Sequence, residues 1–171
     1  MPPLDTYFPL QWHLLNNGQT GGRAGVDLNV VPVWDYYLGA GVRVGVYDNG
    51  VYVDHPDLIG NWDPSLQPII DGRPWKPNPI TWRFGNGGEG GAAHGTAVAG
   101  LISSPINGFG VVGVAPESSF GAAFAYPARG ISVFEYSTIF RDQVYQQYSQ
   151  LALYDVTNHS YGPARPFNAL Y

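Results

Sequence analysis

The stretch Val44-Gly-Val-Tyr-Asp-Asn-Gly50 decides the fold, because it joins a β-branched run to a carboxylate and a turn. The apolar run from Val42 to Tyr47 predicts a short strand that is buried on both faces, as in a parallel sheet. In an open α/β sheet, functional groups gather at the carboxyl ends of the strands. Asp48 lies at that end of the predicted strand, where a buried functional carboxylate is expected.

A second stretch, His94-Gly-Thr-Ala-Val-Ala-Gly100, begins a segment of small and apolar residues that predicts a helix over 94–104. Gly95 lets the backbone beside the histidine approach a neighbour closely. A carboxylate that accepts a hydrogen bond from one imidazole nitrogen fixes the tautomer, so that the other nitrogen can take a proton. Asp48 and His94 are therefore candidate catalytic residues. Either motif alone is usually a turn or a helix start, so the hypothesis depends on their combination and order.

The composition is that of a globular chain without a basic surface. Its 171 residues are enough for one domain with a core, and charged residues make up only 12%. The net charge of −5 argues against nucleic acid as a partner. No apolar run is long enough to predict a transmembrane helix, and the N-terminus lacks the features of a signal peptide. The absence of cysteine excludes disulfides and thiolate metal sites.

Strands alternate with helices along the chain, which predicts an α/β fold with a parallel sheet. We expect residues 1–25 to wrap the surface and 61–93 to form a long loop rich in glycine, proline and tryptophan. The predicted anchors of the N-terminal segment are Leu10, Trp12, Leu14 and Leu15. The other predicted elements are a helix over 27–38, strands at Val111–Ala115 and Phe120–Ala125, a helix over 133–151, and a strand at Tyr154–Asn158.

Further motifs follow the first two in order: Val53-Asp-His-Pro-Asp-Leu58, Gly113-Val-Ala-Pro116 and Asn158-His-Ser-Tyr-Gly-Pro163. Together they resemble the subtilase (subtilisin-like) family of serine proteases from about Asp5 to the C-terminus. The segments 5–14 and 17–22 are similar to the N-terminal part of kexin-like subtilases and their bacterial relatives. The resemblance implies a three-layer, parallel-sheet fold. It also implies that residues 1–171 are the N-terminal portion of one catalytic domain, truncated before its C-terminal part.

The activity that the resemblance implies is that of a secreted serine endopeptidase acting on polypeptides. Asp48 would orient His94, which would act first as general base and then as general acid. The family's Gly-Thr-Ser-x-x-x-Pro motif does not occur before Tyr171, so the serine and the oxyanion asparagine are expected beyond this chain. We therefore expect the 171 residues alone to be inactive, with any pro-segment or further domains absent. The alternative is a non-catalytic remnant or calcium-stabilised binding module of the same fold.

A structural calcium site is also implied by the resemblance. Its side-chain ligands would be Asp57 of the His-Pro-Asp-Leu motif, an acid at Asp5, and Asn107 in the loop after the His94 helix. Carbonyl ligands are expected from the same loop, at Pro105, Phe109 and Val111. Ca²⁺ takes six to eight oxygens of these kinds. The alternative is that Asp57 caps a turn, Asp5 is a solvated terminus, and Asn107-Gly108 is a plain turn.

Ser160, Tyr161 and Gly162 match the family strand that pairs with the substrate main chain. Such pairing tolerates many side chains. Asn158-His-Ser160 is also an N-glycosylation sequon, an interpretation we reject because the segment should be a strand in the cleft. Dibasic-cleaving convertases carry an acid where this chain has Asn49, and acids where it has Ala164-Arg-Pro166. We therefore expect broad endopeptidase specificity. From the composition we expect neither membrane nor nucleic acid as a partner.

Overall fold

A computed structural model describes residues 2–48, 50–75, 93–124 and 141–160. The strands of this part of the chain are β1 (Arg43–Asp48), β2 (Ile69–Ile70), β3 (Arg73–Pro74), β4 (Ser119–Phe124) and β5 (Val156–His159). The α-helices are α1 (Ala93–Ser103) and α2 (Arg141–Tyr148). Within these ranges, neither helix has the length and apolar character needed to span a membrane.

The main sheet is parallel, with the order β4-β1-β5 and β1 in the centre. Val46 of β1 is in register with Ala122 of β4 and with Asn158 of β5. Parallel neighbours need crossover connections, and α1 lies between β1 and β4 in the chain while α2 lies between β4 and β5. The predicted parallel α/β sheet is confirmed.

Side chains of β1 pack into two different cores, one on each face of the sheet. Val44 and Val46 belong to a core with Ala99 of α1, whereas Tyr47 packs on the other face with Tyr148 of α2. Successive side chains of a strand point to opposite faces, so Asp48 shares the α1 face with Val46. Helix, sheet and helix thus form the three layers that the family resemblance implies.

The outer edge of β4 is covered by residues 61–67. The Phe120 N–H donates to the Asn61 carbonyl, and the Asp63 N–H donates to the Phe120 carbonyl. The buried Gln67 side chain bonds to both the N–H and the carbonyl of Ala122. The predicted loop over 61–93 is therefore ordered at its start, where the β2–β3 hairpin also lies, and 76–92 is outside the described residues.

The predicted strand at Val111–Ala115 is wrong. These residues run past the C-terminal end of α1, and the N–H groups of Val114 and Ala115 donate to the carbonyls of Leu101 and Ile102. The last carbonyls of a helix have no partner within the helix, so this segment satisfies them. Capping of α1 therefore takes the hydrogen bonds that a strand would have used.

The helix predicted over 27–38 is also wrong, because only a 3₁₀ turn forms, at Val31–Asp35. Asn29 has a φ of 52°, which is left-handed and ends helical geometry at that point. The Asp27 carboxylate accepts hydrogen bonds from the backbone N–H groups of Asn16 and Asn29. Asp27 therefore organises a turn and does not cap a helix.

The N-terminal segment is anchored by a different set of residues from the one predicted. Leu14 is buried, but Leu10, Trp12 and Leu15 are exposed, so three of the four anchors are wrong. A 3₁₀ turn at 8–10 directs Phe8 inward instead. Phe8 and Leu14 then pack together with Val112 in a small core of their own.

The remaining elements agree with the sequence in type and differ in extent. The predicted strands at Phe120–Ala125 and Tyr154–Asn158 correspond to β4 and β5. The predicted helix over 94–104 is α1. Of the helix predicted over 133–151, α2 covers 141–148 and a 3₁₀ turn covers 151–153, while 133–140 lies outside the described residues.

Candidate active site

Asp48 and His94, 46 positions apart in the chain, lie in direct contact. The Nδ1 atom of His94 is 2.9 Å from each carboxylate oxygen of Asp48. The Asp48 side chain is 1% exposed and that of His94 is 55% exposed. A carboxylate accepts in this contact, so Nδ1 is the donor and Nε2 is left free of the Asp48 carboxylate. The arrangement is that of an imidazole oriented by a buried anion.

Two local features bring the start of α1 onto the end of β1. A Cβ atom at Gly95 would collide with the carbonyl oxygen of Gly50 and would lie 2.9 Å from the Asp48 Cβ, so only glycine fits. The backbone N–H of Tyr52 donates to the Thr96 hydroxyl over 2.9 Å. The close approach at Gly95 and this hydrogen bond fix the helix against the turn that follows Asp48.

A second cluster contains the carboxylates of Asp5 and Asp57, which are 2% and 3% exposed. The Asp5 Oδ1 atom accepts from the N–H groups of Asn107 and Gly108, at 2.9 and 3.1 Å. The Asp57 carboxylate accepts from the Val111 N–H at 2.8 Å and from the Asn107 side chain at 3.3 Å. The loop at 105–111 thus wraps both acids, and the interpretation of Asp5 as a solvated terminus is wrong.

The electrostatics of this cluster are unfavourable for two bare carboxylates. Burial raises the pKa of Asp57, and the negative charge of Asp5 adds to the rise, while hydrogen bonds from Val111 and Asn107 partly offset it. The Oδ2 atom of Asp5 is buried and has no hydrogen-bond partner. A buried, unpaired carboxylate oxygen beside a second acid is the donor set that a cation would satisfy.

One glycine in the same loop, Gly110, allows the close approach of backbone to carboxylate. Gly110 has a φ of 64°, and a Cβ atom there would collide with the Asp57 carboxylate. Sequence reasoning missed this requirement, although the alternation Asn107-Gly-Phe-Gly110 was its visible signal. Pro105, Phe109 and Val111 lie on this loop, and their carbonyls remain predicted ligands.

Of the three residues predicted to pair with substrate, the structure describes only the first, Ser160. Tyr47 of β1 is in register with His159, the last residue of β5, so the next pair in this register is Asp48 with Ser160. The Ser160 hydroxyl accepts from the Asn158 side chain at 2.8 Å. Tyr161, Gly162 and 164–166 lie outside the described residues, as does Asn49.

Comparison with known proteins identifies the family. Residues 39–169 match the sequence profile of the peptidases described as the subtilase family. The chain belongs to the subtilase family. The resemblance that the motifs carried is thereby confirmed, as is the fold class that it implied.

Among named relatives, this subtilase chain is 34% identical over 139 residues to the PC3-like endoprotease variant B of Hydra vulgaris. That match covers 80% of this chain and 19% of the relative. The chain is also 38% identical over 116 residues to the extracellular serine protease of Aeromonas sobria, a match that covers 63% of this chain and 17% of that protein. The chain thus spans about a fifth of these relatives.

Solved structures agree with the sequence comparison. The crystal structure of the Aeromonas sobria serine protease superimposes with a TM-score of 0.65 at 30% identity, covering 96% of this chain and 27% of that one. A structure of the same protease in complex with a chaperone gives a TM-score of 0.67 at 28% identity. The subtilase fold and the kexin-like relationship are therefore established for this chain.

Proposed function

We propose that this chain supplies the aspartate and the histidine of the catalytic triad of a serine endopeptidase. The observation that carries the proposal is the 2.9 Å contact between His94 Nδ1 and the buried Asp48 carboxylate. The Nε2 atom of His94 takes the proton of the attacking serine hydroxyl and later gives it to the leaving amine. Asp48 keeps the ring in the correct tautomer and stabilises the imidazolium that forms in between.

The serine and the oxyanion asparagine would come from sequence beyond Tyr171. Without the serine no acyl-enzyme forms, and loss of an oxyanion donor alone costs about 10²–10³ in rate. The 171 residues alone should therefore not hydrolyse peptides. Cleavage of a chromogenic peptide by the pure chain, blocked by a serine-directed inhibitor, would contradict this part of the proposal.

The substrate would be a polypeptide held by its main chain. Ser160 follows β5 next to Asp48 in the strand register, which supports main-chain pairing by 160–162 beside the triad. Recognition of backbone tolerates many side chains, so we propose broad specificity. The similarity to a protease named as extracellular supports secretion.

We further propose that Asp5, Asp57 and Asn107 hold a calcium ion, together with loop carbonyls at 105–111. The support is the pair of buried acids and the unpartnered Oδ2 atom of Asp5. The bound ion would supply positive charge to these carboxylates and tie the N-terminal segment to the loop after α1. Its role would be structural, because these residues are not among those that contact His94.

Replacement of Asp48 by asparagine in an enzyme that joins this chain to the serine-bearing region tests the main proposal. Turnover should fall about 10⁴-fold, because an amide stabilises the wrong tautomer of His94. Asp35→Asn, at an exposed turn, is the matched control and should leave turnover unchanged. Unchanged turnover in Asp48→Asn would remove Asp48 from the triad. A wild-type enzyme without hydrolytic activity would favour the non-catalytic binding module instead.

A further inference from the structure

Three aromatic rings stack where β1, α2 and β5 meet, on the sheet face opposite Asp48. The centroid of the His159 ring lies 4.7 Å from that of Tyr47 and 5.8 Å from that of Tyr148, with interplanar angles of 24° and 10°. Tyr47 and Tyr148 are themselves stacked, at 5.3 Å and 30°. All three distances fall in the range of favourable aromatic pairs.

The Tyr47 ring, which contacts both of the other rings, has a fixed orientation. Tyr47 is completely buried, and its hydroxyl donates to the Gln147 carbonyl of α2 at 3.2 Å. Tyr154 packs edge-on against it, with centroids 6.0 Å apart at 85°. Tyr47 is therefore a rigid surface, and any ring stacked on it is held at a defined height along β1.

His159 is held on that surface in spite of being largely exposed. Its Nε2 atom lies 3.1 Å from the Thr157 hydroxyl, which restricts rotation of the ring. Loss of hydration around the ring lowers the pKa of His159.

The register connects this stack to the proposed active site. Tyr47 pairs with His159, and the residues that follow them are Asp48 and Ser160. Side chains alternate along both strands, so the stacked residues on one face are each followed by a functional residue on the other. A shift of His159 along β1 would move Ser160 by the same amount relative to Asp48.

We propose that His159 is a positioning residue that sets Ser160, the first residue of the proposed substrate-pairing segment, relative to the Asp48–His94 pair. It acts through its stack on Tyr47 and Tyr148 and contacts neither the substrate nor the reacting atoms. The inference deepens the proposed function and rests on it. It concerns extended substrates, because only these would pair over several residues with a segment that begins at Ser160.

The test uses the enzyme that joins this chain to the serine-bearing region. Two substrates are compared: a peptide with four residues before the scissile bond and an ester of a single amino acid. In His159→Ala, KM for the long peptide should rise about fivefold to tenfold, since two aromatic pairs are lost. The ester should keep its kcat and KM within about twofold. His159→Phe, which keeps a ring that can stack, should restore the wild-type KM for the long peptide.

Variants on α2 provide the matched comparison. Tyr148→Leu removes one ring and keeps apolar bulk, so it should reproduce the selective rise in KM even if His159→Ala fails to fold. Tyr145 lies three residues earlier on the same helix and is 65% exposed, so Tyr145→Ala should leave KM unchanged for both substrates.

Equal losses on both substrates, or His159→Phe behaving as His159→Ala, would overturn the positioning role. Wild-type enzyme inactive on both substrates would overturn the proposed function itself, and the two failures are thus distinguishable.

Discussion

Removal of the proposed calcium ion should lower the melting temperature of this chain by roughly 5–11 °C. An ion at 100 times its dissociation constant stabilises the folded state by about 2.7 kcal/mol. In a domain of this size each kcal/mol shifts the melting temperature by roughly 2–4 °C. The structural basis is the burial of Asp5 and Asp57 with one carboxylate oxygen unpartnered. The assay is thermal unfolding in 1 mM calcium and in excess chelator.

The melting temperature of Asp5→Asn in chelator distinguishes two roles of Asp5, that of a metal ligand and that of a hydrogen-bond acceptor with a purely structural role. The substitution removes the buried charge of Asp5, whose Oδ2 atom has no hydrogen-bond partner, and keeps an Oδ1 acceptor for the N–H groups of Asn107 and Gly108. In chelator the variant should therefore melt at or above the wild-type temperature, and the calcium-induced shift should disappear. A merely structural Asp5 would give the opposite result, a lower melting temperature in chelator and an unchanged calcium shift.

Asp35→Asn, at an exposed position, is the control and should keep the full shift. A wild-type melting temperature that does not respond to chelator would refute the site.

Two further predictions concern single contacts. Gly95→Ala should destabilise the chain by about 1–3 kcal/mol in urea unfolding, because the added Cβ atom collides with the Gly50 carbonyl. Gly100→Ala is the control and should be neutral or stabilising, because its Cβ atom would make only ordinary contacts. Equal effects of the two substitutions would contradict the close approach at Gly95. Hydrogen bonds from Arg43 lower the pKa of Asp155 to about 2, so the stability from this pair is complete above about pH 4 and is lost as the pH falls through 2. Arg43→Gln should raise the Asp155 pKa towards 3.8 in an NMR titration; a wild-type Asp155 that already titrates there would refute the pairing.

The central strand, the α1 helix and the Asp–His pair were predictable because each is encoded locally. The β-branched run at 42–47 and the small-residue run from His94 have different periods, and α/β architecture places strand ends and helix starts at one edge. The contact between Asp48 and His94 follows from that geometry. The resemblance to a family added the calcium and substrate residues, which no local pattern would have grouped.

The errors occurred where tertiary contacts override a local pattern. Val111–Ala115 has the composition of a strand, but its N–H groups cap α1. The segment 27–38 has the composition of a helix, but the Asp27 carboxylate holds Asn29 in a turn. The burial of Asp5 depends on hydrogen bonds to a loop 102 positions away, which sequence spacing does not reveal.

Because the proposed catalytic carboxylate of Asp48 lies on the central strand, one strand can both orient His94 and contribute Tyr47 to the aromatic core. A shift of β1 by one residue would exchange the faces of Tyr47 and Asp48, which would place the carboxylate in the aromatic core. Pairing on both edges of β1 opposes such a shift. Gly45 opposes it too, because a shift would bring a residue with a Cβ atom to this position, where that atom would lie 2.7 Å from the Tyr154 ring. Because the same register fixes Asp48 towards His94 and Tyr47 towards His159, the geometry of the proposed triad and that of the proposed substrate-pairing strand depend on one set of contacts. A substitution at Gly45 should therefore disturb both, although it touches neither.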